Sequence, residues 1–307
     1  MSARIGVDLG GTKVAGVLLE DAGEVKKWVR KPTPKGDYAG TLATISDVVA
    51  ELTNDADLPL GIGTPGAIRP GDGHMKNCNS TWLNGQPLQN DLEAALGRPV
   101  RMANDANCFA LAEARQGAGA AAATVFGVIL GTGVGGGLVI NGKPVLGANG
   151  LAGEWGHTPL PDFRSDPLQP SDVSGIESRL ADRPCYCGRI NCIETFLNGG
   201  GLRRLHKEIH GKSAQPEEIA EAGDHRKETT WHLYCTLVAR SLAQIVNIMD
   251  PEIIVIGGGV SNAVRLYGPV NDMLSRYVFG GECITRVVPA VGGDAVGAVG
   301  AAWLWPA

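Results

Sequence analysis

The 307-residue sequence predicts an α/β protein with mixed sheets, built as two similar halves. Short apolar runs alternate with stretches of helical spacing, the pattern of sheets covered by helices. A strand, a glycine turn and a returning strand occur near residue 10 and again near residue 131, which suggests a repeated architecture. At about 100–200 residues per domain, the length accommodates two.

Each element follows from its residues. Runs 4–7 and 14–19 flank Asp8-Leu9-Gly10-Gly11-Thr12-Lys13, giving a strand, a Gly-Gly turn and a strand. Within 38–53, Leu42, Ile45, Val48, Val49 and Leu52 share one helical face. Leu60–Gly63 reads as a strand stopped by Pro65-Gly66, and 106–116 as a helix entered through Asn104-Asp105. Thr124–Leu130 is then a strand, Gly131–Gly137 a glycine turn and Leu138–Ile140 the returning strand, closed by Asn141-Gly142. Leu233, Leu237, Leu242, Ile245, Val246 and Met249 mark a long helix ended by Asp250-Pro251. Ile253–Ile256 is a buried strand running into Gly257-Gly258-Gly259. Residues 161–183 are polar and Pro-rich and read as a surface excursion. The expected lobes are 1–117 with a returning tail at 291–307, and 118–290.

Composition narrows the function. With 44% hydrophobic residues the chain can build cores, which excludes disorder. Twenty-seven Lys and Arg face 32 Asp and Glu without a like-charged block, so no nucleic-acid surface is expected. The Met1-Ser2-Ala3-Arg4 start carries no apolar leader. Three of the seven cysteines fall within 185–192, which points to metal binding in a reducing cytoplasm rather than to disulfides. Residues 117–142 are uncharged, but their nine glycines favour broken strands over a membrane span.

Polyphosphates need backbone N–H groups that approach without a Cβ in the way, and glycine turns supply them. Gly211-Lys212-Ser213 has the tail of a P-loop, but His206 stands where its first glycine belongs. Gly131 to Gly136 matches G-x-G-x-x-G, yet a strand follows where a dinucleotide site requires a helix. Two glycine hairpins facing each other would instead clamp phosphates, with Asp8 holding Mg²⁺ through water. Asn104-Asp105 reads either as a helix cap or as a carboxylate general base for a substrate hydroxyl. Glu154, His157 and Glu194 are polar groups suited to reading a polyol. Cys185, Cys187, Cys192 and the upstream His157 supply the four donors of a closed tetrahedral zinc site. The second His157 nitrogen is then expected to bond a substrate hydroxyl.

Asp8 to Lys13, Leu130 to Gly137, Ile256 to Ser261, Gly153-Glu154-Trp155-Gly156-His157 and Cys185 to Glu194 together resemble the ROK family of bacterial sugar kinases and repressors. The resemblance runs nearly end to end. It implies the two-lobed actin-like ATPase (ribonuclease H-like) fold with a zinc knuckle, and a phosphoryl transfer from MgATP to a hexose 6-hydroxyl. On that resemblance Asp105 is the catalytic base, and Gly66, Asn79, Asn104, Asp105, Glu154, His157 and Glu194 meet the sugar. Gly6, Asp8, Gly10, Gly11, Thr12, Lys13, Thr132, Gly133, Val134, Gly135, Gly136, Gly137, Gly257, Gly258 and Gly259 meet ATP. Zn²⁺ is held by His157, Cys185, Cys187 and Cys192, and a homodimer is expected. One departure is Asn191, where the family has glycine; asparagine also tolerates a left-handed backbone. Asn77 to Gly85, Gly280 to Cys283 and Trp303 to Pro306 most resemble fructokinases of the mannokinase type, with N-acetylglucosamine kinases the nearest alternative. A non-catalytic sugar-sensing protein is the alternative of another class. With seven residues before Asp8, the repressors' N-terminal helix-turn-helix is not expected here.

Overall fold

Two five-stranded sheets organise the computed structural model, which describes residues 3–21, 23–162, 180–221, 223–293 and 295–305. Most of the Pro-rich stretch (163–179) lies outside the described residues, as does Pro306. The first sheet draws on β1 (Arg4–Leu9), β2 (Lys13–Leu19), β3 (Val25–Pro32), β4 (Leu60–Thr64) and β7 (Val100–Asn104), in the order β3-β2-β1-β4-β7. β1 pairs antiparallel with β2 and parallel with β4, and β4 pairs parallel with β7. A small ribbon joins β5 (Ala67–Ile68) to β6 (Met75–Lys76).

The second sheet uses β8 (Thr124–Leu130), β9 (Val134–Ile140), β10 (Lys143–Val145), β11 (Ile253–Gly257) and β12 (Arg286–Pro289), in the order β10-β9-β8-β11-β12. Each sheet thus lists three strands in reverse chain order followed by two later ones. This is the mixed α/β duplication read from the two glycine hairpins.

Helices fill the intervals: α1 (Tyr38–Leu52), α2 (Leu88–Leu96), α3 (Asp105–Gln116), α4 (Glu194–Leu197), α5 (Gly199–His210), α6 (Pro216–Ala220), α7 (His225–Met249), α8 (Tyr267–Tyr277) and α9 (Val296–Ala302). α1 begins where the Asp37 side chain accepts from the Gly40 N–H, a cap that supplies one of the orphan donors of a first turn. Its Ile45, Val48, Val49 and Leu52 are buried with Ile5, Val7, Leu60 and Ile62.

The chain forms two compact units, Met1–Gly127 with Gly137–Gly153 and Val291–Ala307, and Val128–Gly136 with Glu154–Ala290. In the first, α9 lies directly on strand backbone. A Cβ on Gly6 would stand 1.9 Å from the Ala298 carbonyl oxygen, and one on Gly61 1.8 Å from that of Ala301. Only glycine allows that approach, so packing beneath α9 accounts for Gly6 midway along β1. In the second unit, Leu202, Leu205, Leu233, Leu237, Ile254, Ile256, Val270 and Leu274 are buried, and the buried Tyr234 hydroxyl donates to the Leu197 carbonyl at 2.6 Å.

The second glycine hairpin differs from the expected one. The turn is only Gly131-Thr132-Gly133, because β9 already begins at Val134. Gly135 to Gly137 are strand residues: the Gly135 carbonyl accepts from the Trp155 indole at 2.8 Å, and a Cβ on Gly137 would meet the Ala106 carbonyl at 2.6 Å. These glycines admit neighbours rather than bend the chain.

Candidate functional site

In the first unit the carboxyl ends of three adjacent parallel strands carry the candidate residues, the edge at which open α/β sheets bind ligands. Asp8 pairs with Gly63, Gly63 with Ala103, and Thr64 with Asn104. The Asn104 side chain accepts from the Asn107 N–H at 2.8 Å and caps α3. Asp105 is the first residue of that helix, exposed, with its carboxylate accepting from the Ala106 N–H at 2.7 Å. Cap and candidate base are therefore adjacent residues, and the cap fixes the base. The buried Cys108 thiol is pushed up by burial and then by the charges of Asp8 and Asp105.

Asp8 itself is raised by burial, with Lys13 opposing. A desolvated carboxylate is stabilised by a nearby divalent cation, including one that keeps most of its water. The turn beyond it exposes Gly11 and Thr12 and is tied down from behind: the Thr33 hydroxyl donates to the Gly10 carbonyl at 2.7 Å. A Cβ on Gly11 would stand 3.5 Å from the Ser80 hydroxyl, so this turn neighbours the loop bearing Asn79. Asn84, which sequence reading passed over, holds that loop by accepting from the Cys78 N–H at 2.9 Å and donating to the Cys78 carbonyl at 3.2 Å. Gly66 faces the same loop, its Cβ position 2.6 Å from the Lys76 carbonyl.

The second unit gathers the other candidates. The Gly131–Gly133 turn lies beside Gly258 and Gly259, with Cβ-to-backbone separations of 3.9 and 4.0 Å from Gly131. Gly258 takes φ 88° where β11 turns into a short helical loop. Asn198 caps α5 and donates to the Thr132 carbonyl at 3.0 Å, while the Gly199 N–H donates to the Gly131 carbonyl at 2.9 Å. Sequence reading missed this start of α5, although Asn198-Gly199-Gly200-Gly201 is itself a signal for a capped helix with open N–H groups. Glu194 accepts from the Val134 N–H at 3.0 Å, so the carboxylate expected on a sugar also anchors the second phosphate turn.

His157, Cys185, Cys187 and Cys192 converge, their donor atoms all within 4.8 Å of one another. Cys185 Sγ stands 3.5 Å from His157 Nδ1, and Cys187 Sγ 3.6 Å from Cys192 Sγ. A tetrahedron with metal–sulfur bonds of about 2.3 Å has edges of about 3.8 Å, so the donor set fits Zn²⁺. Gly188 at φ 86° and Asn191 at φ 57° shape the knuckle. The Asn191 side chain adds what glycine lacks, accepting from the Arg183 N–H at 2.8 Å and donating to Asp182 at 2.8 Å.

One expectation changes here. His157 Nε2, expected to face a substrate hydroxyl, is 2.8 Å from the Tyr186 hydroxyl. Desolvation and then the carboxylates of Glu194 and Glu154 push that tyrosine up to about 12, so its phenol stands where a sugar hydroxyl was expected.

The ROK family model matches residues 4–307. An N-acetyl-D-glucosamine kinase of Citrobacter koseri is 40% identical over 304 residues, covering 97% of this chain and 98% of the relative. One of Escherichia fergusonii is 40% identical over 306 residues with the same coverage. Among solved structures, a ROK hexokinase from Thermus thermophilus is similar at a TM-score of 0.81, 29% identity, and 99% and 97% coverage. A ROK glucokinase from Streptomyces griseus, solved in complex with glucose and AMPPNP, matches at 0.74, 27% identity and 98% of each chain. These relatives overturn the fructokinase expectation drawn from Asn77 to Gly85: the full-length similarity is to kinases of an N-acetylated aminosugar. What the structure shows in that stretch is loop scaffolding by Asn84, which does not depend on the sugar.

Proposed function

This chain belongs to the ROK family, and from that premise we propose that it transfers the γ-phosphoryl group of MgATP to the 6-hydroxyl of N-acetyl-D-glucosamine. The observation that carries the reading is the 40% identity to N-acetyl-D-glucosamine kinases across 97% of the chain. Asp105, exposed at the start of a capped helix, takes the proton of the attacking hydroxyl. Phosphoryl transfer asks mainly for positioning and charge stabilisation. The backbone N–H groups around Gly10–Thr12 and Gly131–Gly133 hold phosphates, with Thr12 and Thr132 as side-chain donors. Asp8 would hold Mg²⁺ through water, and the ion would offset the charge of the phosphates. Asn79, Asn104, Glu154 and Glu194 read sugar hydroxyls. His157, Cys185, Cys187 and Cys192 would hold a structural Zn²⁺, which would order the neighbouring sugar contacts without taking part in the chemistry.

The test is ADP release from MgATP with purified protein against N-acetylglucosamine, N-acetylmannosamine, glucose, fructose and no sugar. The expected result is the highest kcat/KM with N-acetylglucosamine. A preference for glucose would retain the kinase and overturn the substrate, and sugar-independent release or none would overturn both.

A further inference from the structure

The first unit contains a cavity of about 670 Å³ between β7, the end of α3, the β10 hairpin and the residues after α9. None of the residues assigned above to sugar, nucleotide or metal lines it. Its walls are largely apolar, including Met102, Leu146 and Trp303, but Arg101, Arg115 and Lys143 also line it and no acidic residue does. Among the described residues none of these three cations has an ion-pair partner. The structure instead gives the two arginines aromatic platforms. The Arg101 guanidinium lies 4.2 Å from the Trp305 ring centre and donates to the Leu304 carbonyl at 2.8 Å, and Arg115 lies 5.4 Å from the Trp303 ring centre. Arg115 Nε is closed off from solvent and has no hydrogen-bond partner among the described residues. Gly142, at φ 67°, admits the guanidinium, since a Cβ there would stand 3.1 Å from Arg115 Cζ.

Cations fixed on indole faces keep their charge while losing water, and a partly buried charge without a partner is costly. In a chain with net charge −5, three cations around one apolar cavity, two of them on indole faces and one of those, Arg115, partly buried, are a local exception. The volume falls within the range of about 300–1,000 Å³ of small-molecule sites. We propose that this cavity binds a small amphipathic organic anion, its apolar body against Met102, Leu146 and Trp303 and its carboxylate-like head between Arg101, Arg115 and Lys143. A nucleotide suits it poorly, because the walls offer few polar groups for a base and ribose. The inference is independent of the kinase reading.

The probe is 8-anilino-1-naphthalenesulfonate, followed by fluorescence in low salt with saturating ADP to keep it out of a nucleotide site, with neutral N-phenyl-1-naphthylamine as the counterpart. One saturable site is expected, weakened about tenfold by Lys143→Met and by Arg101→Gln, as loss of a charge-assisted contact predicts. The neutral dye should bind weakly and ignore both variants. Thermal denaturation establishes that the variants are folded. Equal binding of both dyes, no effect of either variant in folded protein, or no saturable site would each overturn the proposal. So would a site that vanishes as the chain self-associates, since a second copy would then cover the cavity.

Discussion

Asp105, the proposed base, is held by its neighbour. Asn104 carries the cap of α3, so replacing the acid leaves the helix start intact. Asp105→Asn is therefore expected to lower kcat by about 10²–10⁴, the usual worth of a general base, with sugar Kd and Tm unchanged. Calorimetric sugar titration beside steady-state rates checks this, and a parallel loss of affinity would remove the base role. Arg183 presents the opposite case, a residue that a sequence cannot mark. It is fully buried, pairs with Glu208 at 2.6 Å, donates to the Thr195 carbonyl at 2.7 Å and lies 3.9 Å from the Phe196 ring centre. Arg183→Met leaves the Thr195 carbonyl without its donor while Glu208 keeps its ion pair with Arg204 at 2.7 Å, so it should cost about 1–3 kcal/mol in urea unfolding. The capped start of α3 at Asn104-Asp105 and the clustered cysteines were legible because both sit in short spacings. Arg183, Asn84 and the Tyr186–His157 contact were not, because a lone polar residue reads as surface until the chain folds over it.

At the scale of elements, the strands and helices that read most clearly were those with one buried face, such as α1 and the β1–β2 hairpin. β3 did not, because most of its side chains are exposed and leave no alternating signal. Glycine runs were legible as special but not as to why: Gly131 turns the chain, whereas Gly137 makes room for α3. α9 is the extreme case, where Gly61 admits helix backbone. Gly61→Val should destabilise the protein by about 3 kcal/mol or more through overpacking. Gly71→Ala, with open space around it, should stay within about 0.5 kcal/mol of the parent in the same denaturant titration. The α5–α7 contact adds a pH dependence. Buried His206 is 2.9 Å from the Thr230 hydroxyl, and burial, then His210, lowers its pKa below the usual 6.5. The unfolded chain then binds the proton more readily, so stability is full above about pH 6.5 and falls as pH drops towards the lowered value. His206→Gln should flatten the Tm-against-pH curve between about pH 7 and 5.

Across the whole molecule, the repeated strand order of the two sheets was visible in outline from the two glycine hairpins. The sugar class was not, because it was read from the loop at 77–85, where the structure shows Asn84 holding Cys78. The cluster of His157, Cys185, Cys187 and Cys192 makes the two units unequal. It belongs wholly to the second, where it ties Arg183, Asn191 and the start of α4 to one metal-sized cluster. If the cluster holds Zn²⁺, its removal would leave three thiols and an imidazole crowded together with nothing to hold them, whereas the first unit depends on its own apolar core and on α9. Binding energy at such a site is folding energy. 1,10-Phenanthroline, with Mg²⁺ kept in excess, should therefore speed amide exchange across 183–198 and lower Tm, while β1, β2 and β4 retain their protection. Zinc added back should restore both readings. Uniform loosening of the chain, or no change with the metal gone, would deny the knuckle its structural role. A zinc-free protein that keeps its exchange pattern but loses sugar affinity would instead move the metal's contribution from folding to the sugar contacts around His157.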